Sequence, residues 1–93
     1  MPVLKDSEIK DALKSLAGWV HANNAIERSY EFKDFAGAMA FVNRVAAAAE
    51  AVNHHPDIDI RYNKVKLVLT SHDSGGVTQR DVRMAGTINQ LGQ

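Results

Sequence analysis

Three of the four histidines in this chain fall in one spaced series across its second half: Glu50, then His54-His55-Pro56, Tyr62, His72 and Asp81. No other titratable groups are so clustered. An imidazole has an ordinary pKa of ~6.5, so it takes and gives a proton near neutrality. It is also a common metal ligand. The series therefore points to proton transfer or to metal binding.

Proton transfer needs a neutral ring that accepts and a charged ring that donates, help typically worth ~10²–10⁴-fold. Glu50 precedes His54 by one helical turn and is placed to orient it and set its tautomer. A dehydration asks for this pairing: an acid for the departing hydroxyl and a base for a proton elsewhere. For metal, His and Glu are both zinc ligands. However, adjacent residues such as His54 and His55 diverge on a regular backbone, no HExxH occurs, and no cysteine is present to complete a structural site. No metal is assigned. Plain structural accounts stand beside these. Glu50 and His54 could be a helix-face pair worth ~0.2–0.5 kcal/mol. His55-Pro56 could be a helix stop, Asp81 a helix N-terminal acid, and Tyr62 a packing or turn residue. His21 lies outside the series and receives no role. Residue types alone leave these accounts and an acid–base site at His54, His55 and His72 open.

The elements that must position these residues emerge from hydrophobic spacing. Ser7 can cap a first helix carrying Ile9, Ala12, Leu13 and Leu16, which Gly18 ends. Trp19 to His21 reads as a short strand and Asn23-Asn24 as a turn. Ile26, Tyr30 and Phe32 alternate as a strand, with Arg28 breaking the pattern. Asp34 caps a long helix whose apolar stripe is Phe35, Met39, Val42, Val45, Ala46 and Ala49. Pro56 bounds that helix, with His54 in its last turn. Two alternating runs come next. With Asn63-Lys64 as a two-residue loop, Tyr62 faces Val65, Ile60 faces Leu67 and Ile58 faces Leu69, so all six share one side of the sheet. This register sets Arg61 against Lys66 and, extended, returns His72 opposite His55. Gly75-Gly76 marks a loop. Thr78 and Asp81 resemble a capping box before a third helix with Val82, Ala85, Ile88 and Leu91. The order α-β-β-α-β-β-α predicts an α+β fold: a four-stranded antiparallel sheet with three helices packed on one face.

Ninety-three residues predict a single domain, 1–93. So small a domain buries only ~60–65% of its unfolded surface, and self-association would help it. Eleven basic and eleven acidic residues balance, unlike the basic face of a direct nucleic-acid binder. No apolar run suits a membrane span, and Met1-Pro2-Val3-Leu4-Lys5-Asp6 lacks the apolar core of a signal peptide. A cytoplasmic location is expected.

The series also resembles a known family. Glu50-Ala51-Val52-Asn53-His54-His55-Pro56, Tyr62, His72 and Asp81 match the signature of pterin-4a-carbinolamine dehydratases at every spacing. Phe32-Lys33-Asp34-Phe35, Arg44-Val45-Ala46, Tyr62-Asn63-Lys64-Val65 and Trp19 are similar too. The likeness runs from about Leu13 to Ile88. It implies the α+β fold and a dehydratase that removes water from a 4a-hydroxytetrahydropterin to give the quinonoid dihydropterin. That reaction recycles the cofactor of aromatic amino acid hydroxylases. The resemblance implies no metal or organic cofactor, because the ring nitrogen's lone pair expels the hydroxyl once an acid assists. By position, His54 and His72 resemble the acid–base pair, in an order left open, and His55 polarises the substrate. Glu50 supports His54, Asn53 and Pro56 border the pocket, and Ser71-His72-Asp73 meets the pterin edge with its backbone. Asn53 stands where many relatives have an aspartate, and Ile58 where they often have a tryptophan.

The resemblance also implies a homodimer or homotetramer and, as a pathway partner, a hydroxylase. Animal members serve as dimerisation partners of a homeodomain transcription factor. Rival readings are therefore an interaction module of that kind, or a pterin-binding protein without turnover.

Overall fold

A computed structural model describes residues 2–92 of the chain. The element order is α1 (Asp6–Leu13), β1 (Val20–Ala22), β2 (Ala25–Glu31), α2 (Phe35–Val52), β3 (Asp57–Arg61), β4 (Lys64–Leu69) and α3 (Gln79–Leu91). The four strands form one antiparallel sheet in the order β1-β2-β4-β3. This is the α+β arrangement expected from the spacing.

Side-chain alternation puts Ile26, Tyr30, Val65, Leu67 and Leu69 on the sheet's inner face, all buried. Trp19, Phe41, Val45, Met84 and Ile88 from the helices and the first loop complete the core. Tyr30, Phe32 and Phe41 meet with ring centroids 4.6–6.1 Å apart. Arg28, the residue that breaks the β2 pattern, is satisfied where it lies. Its guanidinium donates to Ala17 O (2.9 Å) and Asn89 Oδ1 (2.6 Å) and sits 4.3 Å from the Tyr30 ring centroid. Trp19 Nε1–H donates to the same Asn89 oxygen at 2.8 Å.

Several boundaries differ from the sequence reading. Ser7 lies inside α1. The preceding Lys5 is the N-cap, and Glu8 accepts from its N–H at 2.8 Å. A carboxylate three residues on thus replaces the hydroxyl. Helix α1 stops at Leu13, and short i−3 turns carry the chain to Gly18 at φ 86°. β1 begins after Trp19. Asp34 does cap α2, accepting from Gly37 N–H at 2.8 Å. The buried stripe of α2 is Ala38, Phe41, Val42, Val45 and Ala49. Phe35 and Ala46 face outward instead, because a stripe through Phe41 and Val45 turns them away. Helix α2 has the length and mean hydropathy (1.3) of a membrane span, but this stripe packs into the core.

The β3–β4 register is also shifted. Ile58 faces Leu67, Ile60 faces Val65 and Arg61 faces Lys64, so the loop is Tyr62-Asn63. The cause lies on the neighbouring strand. Asn63 gives its side-chain N–H to Phe32 O and takes the Phe32 N–H on its carbonyl, each at 2.8 Å. Asn63 must therefore sit in the turn, at the end of β2. Because the shift is two residues, the isoleucines keep their side. Tyr62 instead moves into the loop at φ 53° and is 65% exposed. Asp59 now faces Lys66, and Arg61 faces Lys64 instead of Lys66 while its guanidinium turns to Asp59 at 3.1 Å.

The end of α2 governs where the adjacent histidines point. Asn53 is left-handed (φ 51°, ψ 44°). Its N–H donates to Glu50 O (3.2 Å), and the His54 N–H reaches back to Ala49 O (3.1 Å). This pair of bonds is a Schellman closure, so His54 lies just beyond the helix rather than in its last turn. Asparagine tolerates this backbone far better than alanine does. Asn53→Ala is expected to cost about 1 kcal/mol and Asn53→Gly to cost nothing, as read by urea unfolding.

Candidate active site

The Schellman turn separates the two adjacent histidines and gives each its own carboxylate. His54 Nε2 lies 2.5 Å from Asp81 Oδ1, with the histidine side chain 11% exposed and the aspartate fully buried. His55 Nε2 lies 2.5 Å from Glu50 Oε1, and this pair faces solvent. Glu50 thus reaches His55 rather than His54. Once Asn53 turns left-handed, His54 leaves the helical face that carries Glu50.

Asp81 has two functions. Thr78 caps α3, its Oγ1 accepting from Arg80 N–H at 3.2 Å, while Asp81 Oδ2 accepts from Thr78 N–H at 2.8 Å. This is the expected capping box, with aspartate in the acidic position. The other oxygen, Oδ1, meets His54. A carboxylate only accepts, so a neutral His54 carries its proton on Nε2 toward Asp81 and keeps a lone pair on Nδ1. The same holds for neutral His55 against Glu50. Among the described residues neither Nδ1 has a hydrogen-bond partner.

His72 sits where the chain leaves β4. It does not return opposite His55, because β4 ends at Leu69 and β3 starts only at Asp57. Instead Ser71 bridges to Gly76, and His72 is exposed on the turn between them, with no hydrogen bond among the described residues. Asn24 steadies this turn by donating to Gly75 O (2.8 Å) and accepting from Thr70 Oγ1 (3.0 Å). Asp73 lies on the same turn and accepts from Arg80 Nη2 at 2.6 Å. That guanidinium holds the Asp73 carboxyl below its usual pKa. Pro56 is half-buried between His55 and β3, and Asn53 is exposed.

A cleft of about 240 Å³ opens beside His54, between α2 and α3. Ala48, Val52 and Met84 supply apolar walls, and Arg80, Arg83 and Thr87 supply polar ones. Arg80 Nε is buried and has no partner among the described residues. A larger concavity of about 520 Å³ lies against the sheet near Ser29, Glu31, Asp59 and Lys66, with no histidine on its walls. The cleft beside His54 is the better candidate, because it borders an acid–base group. Sequence reasoning missed Arg80, whose only signal was its place in the first turn of α3. Among the described residues, no three His, Cys, Asp or Glu side chains group as a metal site.

Because pairing lowers the Asp73 pKa, any stabilisation it gives is present above the ordinary carboxylate pKa and is lost as pH falls through the depressed one. A carboxyl NMR titration is expected to place the Asp73 midpoint below that of a free aspartate. Arg80→Gln should return it toward normal, and added salt should narrow the difference.

Comparison with known proteins gives the chain's family. The family model described as pterin 4 alpha carbinolamine dehydratase matches residues 2–91. A protein of Koribacter versatilis named "Putative pterin-4-alpha-carbinolamine dehydratase" is 62% identical over 95% of this chain and 94% of its own. A crystal structure from Brucella melitensis, titled as a transcriptional coactivator/pterin dehydratase, superposes with a TM-score of 0.91. It is 40% identical and covers 98% of this chain and 99% of that one. A pterin dehydratase-like RuBisCO assembly factor of the alpha-carboxysome shares the fold (TM-score 0.67) at 21% identity, over 80% of this chain and 88% of that one. Family model, relative and structure converge over almost the whole length, and the chain belongs to the pterin 4 alpha carbinolamine dehydratase family.

Proposed function

We propose that this protein dehydrates a 4a-hydroxytetrahydropterin to the quinonoid dihydropterin by histidine acid–base catalysis, at a site built by His54, His55 and His72. The observation that carries this reading is the pair of imidazole–carboxylate contacts at the exit of α2, one of them beside a cleft. The reaction is a balanced loss of water. An acid protonates the 4a hydroxyl, the C4a–O bond breaks as the N5 lone pair forms the C=N bond, and a base takes the N5 proton. His54 suits the base, since Asp81 fixes its tautomer, leaves Nδ1 free and stabilises the imidazolium that forms. His72, open to solvent, then serves as the acid. His55, held by Glu50, polarises the substrate near the departing hydroxyl.

The pterin's flat edge carries donors and acceptors that main-chain groups match. Ser71's own main-chain groups are already paired within the turn, so the open ones in this segment belong to His72 and Asp73. Asp73 frames that edge, and Asn53 and Pro56 border it. The proposed setting is cytoplasmic recycling of the pterin cofactor of an aromatic amino acid hydroxylase.

A second copy of the chain is the proposed partner for α2. Its outer side exposes Phe35 (50%) and Val52 (63%) among alanines, an apolar surface that a dimer or tetramer would cover. The same surface suits an interaction role, and the Brucella relative's title names a coactivator as well. Sedimentation equilibrium is expected to give a dimer or tetramer, and a monomer would refute the assembly.

The direct test is the absorbance decay of freshly generated 4a-hydroxytetrahydropterin with chelator present. Acceleration by the wild-type protein is expected. His54→Ala and His72→Ala should each lower turnover ~10²-fold or more, and His55→Ala should act mainly on KM. Near-wild-type rates in both of the first two variants would refute the acid–base assignment. No acceleration by folded wild-type protein would favour the interaction module or a pterin-binding protein without turnover.

A further inference from the structure

Ser71 is only 1% exposed, so its hydroxyl is turned away from any ligand at the surface. It lies instead in a chain of hydrogen bonds whose direction is fixed at both ends. At one end Arg80 N–H, which can only donate, gives to Thr78 Oγ1 at 3.2 Å. At the other, Asp81 Oδ2, which only accepts, takes the Ser71 hydroxyl at 2.9 Å. The 2.9 Å contact between the two hydroxyls must therefore run from Thr78 to Ser71. Every hydroxyl proton in the chain has one allowed place. Oδ2 is filled by Ser71 and by the Thr78 N–H at 2.8 Å, and only Oδ1 remains for His54.

The main chain of Ser71 is equally committed. Its carbonyl accepts from Ser74 (3.0 Å), Gly75 (2.9 Å) and Gly76 (3.3 Å), and its N–H donates to Gly76 O (3.0 Å). These bonds close the turn that carries His72. One buried residue thus holds the partner of His54 through its side chain and the platform of His72 through its backbone.

We propose that Ser71 is a positioning residue that fixes the Nε2–H tautomer of His54 through Asp81 and keeps the His72 turn in register with it. This rests on the reading of His54 and His72 as the acid–base pair. Thr78 relays the same constraint from the N-cap of α3. Removing either hydroxyl leaves a buried oxygen of the chain short of a donor. Asp81 Oδ2 keeps the Thr78 N–H but loses the ordered Ser71 hydroxyl, directly in Ser71→Ala and through an unanchored Ser71 in Thr78→Val. The carboxylate is then held less firmly, and its hold on the Nε2–H tautomer of His54 weakens.

The test pairs an activity readout with one that does not need activity. Histidine ¹⁵N NMR assigns the His54 tautomer in wild type, Ser71→Ala, Thr78→Val and Thr78→Ser. Circular dichroism checks that each is folded. The wild type is expected to show Nε2–H alone. Ser71→Ala and Thr78→Val should both populate Nδ1–H, and Thr78→Ser, which returns the hydroxyl, should restore Nε2–H. In the dehydratase assay kcat should fall about tenfold or more in the first two, by analogy with lost outer contacts at other sites, with KM within about twofold. An unchanged tautomer and kcat in folded Ser71→Ala overturns the proposal. If Ser71→Ala does not fold, Thr78→Val decides in the same way. If the wild type shows no dehydratase activity, the reaction assignment fails by itself, and the NMR arms still decide whether Ser71 sets the tautomer.

Discussion

A carboxylate with no exposed surface is the constraint around which this small structure is arranged. Removing such a charge from water costs on the order of several kcal/mol unless hydrogen bonds replace the lost solvent. Asp81 recovers that cost from Ser71, Thr78 and His54. Those groups come from the turn after β4, the start of α3 and the exit of α2. The residues that make the aspartate tolerable therefore also join the segments that form the candidate site. A fold with a modest core gains a polar anchor, and the site gains a histidine whose ring is held in one orientation.

The sheet makes this convergence possible. β2 and β4 pair side by side at its centre, with Ile26 against Leu69 and Tyr30 against Val65. That pairing delivers Ser71 to the end of the sheet where α2 also finishes. The turn carrying His72 is tied back to the β1–β2 hairpin through Asn24. At the opposite end, Asn63 locks the β3–β4 loop to Phe32. On the far side of the core Asn89 joins α3 to Trp19 and Arg28. These side-chain amides satisfy main-chain and side-chain groups at loops and element ends, where regular ladders stop.

Most of the element order was legible because it is local. Asp34 before an apolar helical run, Thr78 three residues before Asp81, and Asn23-Asn24 between two alternating segments act through their immediate neighbours. What failed was what distant neighbours decide. Nothing near Asn63 in sequence says that Phe32 will use both its amide and its carbonyl, yet that contact moves the hairpin loop by one residue. Ser7 looked like the cap of α1 because hydroxyls commonly are; the N-cap is Lys5, and Glu8, three residues after it, accepts its N–H. The apolar stripe of α2 was misplaced at Phe35 and Ala46 because the helix is apolar nearly all round, so periodicity alone could not say which side meets the sheet.

The candidate site divides along the same line. The sequence by itself determined that His54, His55 and His72 stand apart from the rest of the chain, that Pro56 bars the helix beyond His55, and that Asp81 belongs to a capping box. It also carried the spacing that the family shares. Only the tertiary structure decided which carboxylate each histidine meets. Asn53 turns left-handed, His54 swings away from Glu50 to a carboxylate twenty-seven residues on, and His55 takes Glu50 in its place. The physical reason is that a hydrogen bond needs its partners within about 3 Å in three dimensions. Spacing along a chain predicts that only while the backbone stays regular, and here the site begins where the helix ends.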